Sequence, residues 1–484
     1  MGGRIAVSTL AVGSPTAGKP TLLRAHGAAD YDLGASIRWL FWVYILLVLF
    51  EGALRKWVLP GFSSYLLFVR DPVAVAIYIL AFKNGFFPTQ RLALCIYGVA
   101  IAATMASFLV DVANPGITVY GFKSNFLHLP LIYVGALVLK RRDVVAIGKL
   151  FLITGILMLP VVIMQFRTSP NSWWNVGPGG SVGTQMMGAH GHVRVAGFFA
   201  FINGTAQFCA MMAAFVVFGL LEPRNYSKIL LVVAGAALIL TVAVSTSRAT
   251  LGAVGTVLAM VVVMIFTNAK FVGRIASFVA TAGVLLFLVS TVDIFKEGKE
   301  TMMARLTETG DAERGVVETS VSWSDRLGND FKGGFAAMGI APILGYGIGF
   351  GTNGASMLME GRLRFMLSEG EWGRCILEMG PILGAMYLGI RLAMVLAFFV
   401  GAMQSAQEGD SLSLLLFGSS VWVILCGQFG LASNVGFAVV GGALCLAARN
   451  AAPLASKEVV DLVPTHRVRS RSHYAQFLYG KPSR

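Results

Sequence analysis

The sequence predicts an all-α fold: a polytopic integral membrane protein with about twelve transmembrane helices. Of its 484 residues, 56% are hydrophobic and only 13% are charged, which is far from the composition of soluble domains. Apolar segments of roughly twenty residues, the length that crosses a hydrocarbon core, recur from Trp39 to Leu446 with short polar breaks. Despite the net charge of +14, the chain is not expected to bind nucleic acid, because no soluble domain is present to carry a basic groove.

Twelve apolar segments follow one another along the chain. They lie near residues 37–50, 65–82, 92–110, 126–139, 144–166, 196–221, 228–245, 249–267, 274–293, 374–401, 411–428 and 432–448. The first and fourth are short for a bilayer, so we expect either that flanking residues are drawn into these spans or that the helices are tilted, broken or partly interfacial.

Basic residues in the short connections indicate the orientation, because positive charge resists translocation. They occur in alternate connections, which we place in the cytoplasm: Lys83 and Arg91, then Lys140 to Arg142, then Arg224 and Lys228, then Lys270 and Arg274. The basic tails, 1–36 and 449–484, are expected on that same side. The domain 37–448 between them carries two long loops on the far side, about 167–195 and 294–373. Loops of this length usually carry function.

Two adjacent tryptophans, Trp173 and Trp174, lie in the first long loop, which is otherwise rich in Gly and Pro. Tryptophan is common at headgroup depth, where it anchors a membrane protein. The alternative interpretation is that these rings bind substrate as platforms on which a sugar stacks.

Arginines lie at span ends on the far side, where translocated loops normally avoid them. The candidates for substrate binding are Arg70, Arg194, Arg248 and Arg364. Arg248 lies in STSRATLGA between two spans, close to three consecutive hydroxyl residues. A guanidinium there suits a diphosphate, to which it can make bidentate hydrogen bonds. Alternatively, Arg248 caps a helix and reaches the outer headgroups.

Three carboxylates, Glu369, Glu371 and Glu378, lie at the start of the tenth segment. Glu371 and Glu378 are seven residues apart and are expected to share one helix face. Glu369 and Glu371 are the candidates for a general base that accepts a proton from a hydroxyl group. The alternative is that a carboxylate here only pairs with a nearby arginine.

Neither a metal nor another cofactor is indicated. The only Asp-x-Asp pair is Asp30 with Asp32 in the N-terminal tail, and the histidines show no ligand spacing beyond the pair His190 and His192. The glycine-rich string GYGIGFGTNG, residues 345–354, does not lie in a βαβ unit, as a dinucleotide-binding fingerprint requires. It predicts a tight backbone turn near a ligand.

The order of these elements resembles the O-antigen ligase and polymerase superfamily. The resemblance runs from about Glu51 to Leu446 and rests on STSRA between two spans, the stretch from Gln165 to Asn175, the long outer loop, and GYGIGFGTN followed by EWGRCILEMGPILG. It implies a glycosyltransferase of the bacterial inner membrane that uses undecaprenyl-diphosphate-linked oligosaccharides without metal. Its expected partners are this substrate, membrane lipid, a chain-length regulator and polysaccharide export proteins.

The resemblance also implies roles for single residues. Arg248 would hold the leaving diphosphate, and Arg194 would assist it. Polymerases of this kind carry arginine-to-glycine motifs in two outer loops; Arg364 to Gly380 has the expected separation, whereas Arg194 to Gly204 is one residue short. Ligases tend to carry a histidine in the later loop, and residues 294–373 contain none, which favours a polymerase. The alternatives are a ligase and a flippase or other transporter of lipid-linked oligosaccharide.

Overall fold

The computed structural model describes four stretches of the chain, residues 34–110, 114–307, 323–360 and 367–449. All of them belong to one compact unit that begins at Gly34. Asp30, Asp32 and Arg364 lie outside the described residues, as do most residues of the two basic tails.

The described residues form seventeen α-helices. The first nine are α1 Ala35–Ala53, α2 Ser63–Leu66, α3 Arg70–Asn84, α4 Arg91–Ser107, α5 Pro115–Phe122, α6 Leu131–Val138, α7 Arg141–Arg167, α8 Ile202–Leu221 and α9 Lys228–Val244. The others are α10 Arg248–Thr267, α11 Lys270–Ser290, α12 Asp293–Thr307, α13 Trp323–Ile340, α14 Asn353–Glu360, α15 Glu371–Gln407, α16 Leu412–Cys426 and α17 Ala432–Arg449. The all-helical prediction is confirmed for the described residues, where the only strand-like pairing is an isolated bridge between Met187 and Val193.

Eight helical segments of the described chain are long and apolar enough to cross a membrane, and three shorter apolar helices, α4, α9 and α16, accompany them. Each of these eleven coincides with one predicted apolar segment. The fourth predicted segment is broken: α5 leads into a π-helical turn, Lys123–Leu127, and α6 starts after Pro130. The protein is therefore a multi-helix membrane protein by length and composition, while the count of twelve spans stays a prediction.

Helix α8 lies at the centre of the bundle and packs against α7, α9, α10, α16 and α17. After Gln207 it is apolar on every face, and the helix is almost wholly buried, as expected for a helix enclosed by others. Peripheral helices instead expose large apolar side chains, such as Phe266 of α10 and Phe287 of α11. Such exposed faces are typical of surfaces that contact lipid.

The two long connections meet at one end of the bundle, which we call the loop face. The Nε2 atom of His192, from the first connection, lies 3.7 Å from a carboxylate oxygen of Glu297 on α12, in the second. At the same end, Gly188 lies against Thr246 in the turn between α9 and α10. The loop face is therefore a single surface to which both connections contribute.

Helix α15 is a hairpin and not one straight span. Gly380 has φ 78° and ψ 166°, which breaks the helix, and Pro381 follows it. A straight helix would place Glu371 and Arg391 about 30 Å apart, yet their side chains bond at 2.6 Å. Gly384 lies directly against the backbone of Ile376, so the short arm 371–379 runs back along the long arm.

Candidate functional site

A cavity of about 770 Å³ lies at the loop face, within the range of about 300–1,000 Å³ that is usual for ligand pockets. Its wall combines the ends of α1 and α17, the segment around α2, and parts of both long connections. Polar lining comes from two charged residues and several hydroxyl residues: Glu51, Arg55, Ser64, Tyr120, Thr184 and Ser433.

The charged lining centres on Glu51, which is 5% exposed. Arg55 contacts its Oε1 atom at 3.2 Å, and the Nε atom of Arg70 lies 2.9 Å from its Oε2 atom. Arg70 also donates from Nη2 to the carbonyl oxygen of Ala432 at 2.5 Å. Arg70, a predicted substrate-binding residue, is buried and holds Glu51 against α17, while Arg55 and Glu51 line the cavity.

Arg248 begins α10 after a turn of only three residues. Ser247 caps the helix by accepting from the backbone N–H of Thr250, and Thr246 adopts a positive φ of 48°. The hydroxyl oxygens of Thr246 and Thr250 are buried and make no hydrogen bond within the part of the chain that the structure describes. A buried hydroxyl without a partner is costly, and two of them flank Arg248.

The segment that carries Arg194 folds back as a small hairpin. The backbone N–H of Arg194 donates to the carbonyl of Met186 at 2.8 Å, and that of Gly188 donates to the carbonyl of His192 at 2.7 Å. Because Gly188 lies against Thr246, this hairpin contacts the turn that precedes Arg248. The structure thus brings together the segments of the two arginines that the sequence paired.

His192 holds this hairpin against Phe166 of α7. Its ring stacks on Phe166 of α7, with centroids 4.0 Å apart and planes at 4°. Its Nδ1 atom lies 2.8 Å from the carbonyl oxygen of Phe166. Among the described residues, no group of three or more His, Cys, Asp or Glu is arranged to hold a metal.

The tryptophans of the first long loop form an aromatic group with Trp57. Trp57 donates from Nε1 to the carbonyl oxygen of Trp173 at 3.0 Å, and their ring centroids are 5.8 Å apart. Trp174 packs edge-on against Trp173, whose side chain is 60% exposed. The exposed ring is compatible with both interpretations, a membrane anchor and a sugar platform.

Glu371 belongs to a buried ionic cluster of two carboxylates and two guanidiniums. Arg374 binds Glu371 at 2.8 Å and Glu378 at 2.6 Å, and Arg391 binds Glu371 at 2.6 Å. Arg374 also donates to the Oδ1 atom of Asn125 at 2.9 Å. Glu371 therefore has the geometry of an arginine partner, which is the alternative that the sequence left open.

Glu369 precedes this cluster and has an exposed side chain. Its carbonyl oxygen accepts a hydrogen bond from Gln428 at 2.5 Å. Nearby, the backbone N–H of Trp372 donates to Asp330 at 3.2 Å. Burial raises the pKa of Asp330 above its ordinary value, and the bond from Trp372 opposes that rise. Of the two predicted bases, Glu369 is the one that solvent reaches.

The glycine-rich string forms a tight turn held by the short arm of α15. The backbone N–H of Tyr346 donates to the carbonyl of Leu377 at 2.8 Å, and the backbone N–H of Gly351 donates to the Oε1 atom of Glu378 at 2.9 Å. Ile348 donates to Ser107 of α4 at 2.9 Å. The string thus forms the expected tight turn, and Glu378 connects it to the ionic cluster.

We expect Gly349→Ala to lower the stability of the protein. Gly349 has φ +89°, and an added Cβ would collide with the carbonyl oxygen of Ile117 and the backbone of Gly121. A strained position of this kind costs about 1–3 kcal/mol. The melting temperature of the purified variant should fall below that of a matched control, Gly389→Ala, where the added methyl meets open space. Equal melting temperatures would contradict the expectation.

The sequence matches no model of a known protein family, and a comparison with curated proteins finds no match either.

Proposed function

We propose that this chain polymerises undecaprenyl-diphosphate-linked oligosaccharide repeats at the outer face of a bacterial inner membrane. The loop face would be the outer side, in agreement with the basic residues of the opposite connections. The observation that carries the proposal is the contact between the Arg194 hairpin and the hydroxyl-rich turn of Arg248. Thr184, two residues before this hairpin, lines a cavity of ligand size at the same face.

The reaction is the transfer of a glycan from its lipid diphosphate to a sugar hydroxyl. The hydroxyl oxygen bonds to the anomeric carbon, the bond from that carbon to the diphosphate oxygen breaks, and the diphosphate departs with the electron pair. A base takes the hydroxyl proton, and Glu369 is the candidate for this role. Arginines placed where negative charge develops lower the barrier, so Arg248 and Arg194 would act on the departing diphosphate.

A reconstituted system tests this proposal. The purified protein in lipid nanodiscs receives undecaprenyl-diphosphate-linked repeats isolated from cells that lack the chain. We expect a ladder of glycans whose lengths differ by one repeat, together with released undecaprenyl diphosphate. Transfer of single glycans only to a different acceptor would indicate a ligase. Movement of intact lipid-linked repeats across liposome membranes, without any new glycosidic bond, would reject the proposal in favour of transport.

A further inference from the structure

The cavity beside Glu51 has no role in the arginine-based part of this mechanism. We propose that it binds sugar residues of the acceptor glycan, recognising hydroxyl groups through Glu51 and Arg55. This inference rests on the proposed function and divides the loop face into two sites. The turn at Arg248 takes the charged diphosphate, and the cavity takes the uncharged polyhydroxyl part of the second substrate.

Glu51 is built to accept hydrogen bonds from a ligand. An ionised carboxylate offers about four lone-pair sites; Arg55 donates to Oε1 at 3.2 Å, and the Nε atom of Arg70 forms an ion pair with Oε2 at 2.9 Å. Both arginines are themselves held, Arg55 by the hydroxyl of Ser63 at 3.3 Å and Arg70 by the carbonyl of Ala432. The carboxylate is therefore fixed in position and keeps acceptor capacity on each oxygen. Such preorganised polar groups favour binding because little ordering remains to be done.

The ionic groups of this wall suit sugar hydroxyls. Glu51, Arg55 and Arg70 together carry one net positive charge, but both guanidiniums already contact the carboxylate of Glu51, so a diphosphate entering here would meet that carboxylate along with the guanidinium of Arg55. A sugar hydroxyl instead donates to a carboxylate and accepts from a guanidinium. Ser64, Thr184 and Ser433 add further hydroxyl groups to the lining.

Aromatic residues form another part of the wall. Phe68 and Tyr120 both line the cavity, with their ring centroids 6.2 Å apart and the planes nearly perpendicular. An aromatic face packs well against the C–H face of a sugar ring, which is apolar. The cavity thus offers both kinds of contact that a sugar ring makes, hydrogen bonds at its edge and apolar contact on its face.

The cavity is also recessed. Glu51 is the seventeenth residue of α1, and α3, which starts at Arg70, has fifteen residues. Helical segments of these lengths rise only about 22–26 Å, less than the roughly 30 Å of a hydrocarbon core. Glu51 and Arg70 lie at the loop-face ends of these two helical segments. Their ion pair shows that the two ends lie at the same height in the bundle. The apolar helical segment Ala35–Val58 continues seven residues beyond Glu51, so a sugar that reaches Glu51 would enter between the spanning segments, which favours a glycan held there by its own lipid.

One loop connects the two proposed sites. Thr184 lines the cavity, and Met186 begins the hairpin that carries Arg194. Two residues of extended chain span only about 7 Å. A sugar in the cavity and a diphosphate at the arginine turn would then lie against the same short segment. That arrangement suits a reaction between two lipid-linked substrates.

The test uses the oligosaccharide repeat freed from its lipid diphosphate by mild acid. Its binding to the protein in nanodiscs is measured by calorimetry. In a separate assay, inorganic pyrophosphate is added and the inhibition of polymer formation is measured. We expect Glu51→Gln to weaken repeat binding at least about tenfold (about 1.4 kcal/mol) and to leave inhibition by pyrophosphate unchanged. Thr184→Trp, at an exposed loop position on the wall, should weaken repeat binding without disturbing the ion pairs.

Glu408→Gln, an exposed carboxylate beyond the far end of α15, is the matched control and should bind the repeat as the native protein does. Native repeat binding by both cavity variants would overturn the inference, as would loss of pyrophosphate inhibition in a Glu51→Gln protein that keeps the native melting temperature. The two proposals would fail with different experimental results. A native protein that binds the repeat but never forms polymer refutes only the polymerase, whereas polymer formation with unaffected cavity variants refutes only the acceptor site.

Discussion

Cells whose own copy is replaced by an Arg248→Ala variant are expected to accumulate single, unpolymerised repeats on the lipid carrier. The guanidinium at the start of α10 would no longer meet the negative charge that develops on the departing diphosphate. Removing one preorganised group of this kind typically slows a reaction about 100- to 1,000-fold. The measurement is the length distribution of the surface polysaccharide, taken at equal abundance of the protein in the membrane.

Two variants sharpen this experiment. Arg248→Lys keeps the charge but loses the bidentate fork, so partial polymer of reduced length is expected. Arg274→Ala removes an exposed arginine of α11, which begins at the face opposite the long connections, and should leave glycan length unchanged. Native glycans in Arg248→Ala cells would contradict a role at the diphosphate. Full-length polymer that stays unattached would instead identify a ligase.

The helices were predictable because lipid imposes a simple pattern on the sequence. A run of apolar residues of the right length predicts a spanning helix wherever it occurs. The hairpin in α15 was not predictable from that pattern, because the apolar run continues through Gly380 and Pro381 and predicts one span over 374–401. The reversal depends on contacts between its arms, above all the bond from Arg391 to Glu371.

The candidate site was predictable where its residues are neighbours in sequence. Arg248 and its hydroxyl residues form one local string, so composition alone singled them out. Glu51 was not selected as a site residue, because its partner Arg70 comes from another helix. Arg391, a lone charge inside an apolar span, carried a usable signal, since buried charges in membrane segments are rarely without partners.

Glu371→Gln is expected to destabilise the protein severely, which is the largest stability effect among the variants considered. Glu371, Arg374, Glu378 and Arg391 are each at most 3% exposed, and their two negative charges balance two positive ones. Neutralising Glu371 leaves one positive charge uncompensated, and breaking a buried ion pair in this way costs about 3–5 kcal/mol. The Oε1 atom of Glu371 also receives the backbone N–H of Phe429, which follows α16.

The measurement is the melting temperature in detergent together with protein abundance in the membrane. The matched control is Glu369→Gln, two residues earlier, whose exposed side chain should tolerate the change without loss of stability. If Glu369 is the base, this control folds normally but elongates glycans slowly. Normal stability of Glu371→Gln would show that the ionic cluster does not hold the hairpin. Unaltered chain growth in Glu369→Gln would remove Glu369 as the base. Glu371→Gln reports on stability and Glu369→Gln reports on glycan elongation, so each result can be interpreted without the other.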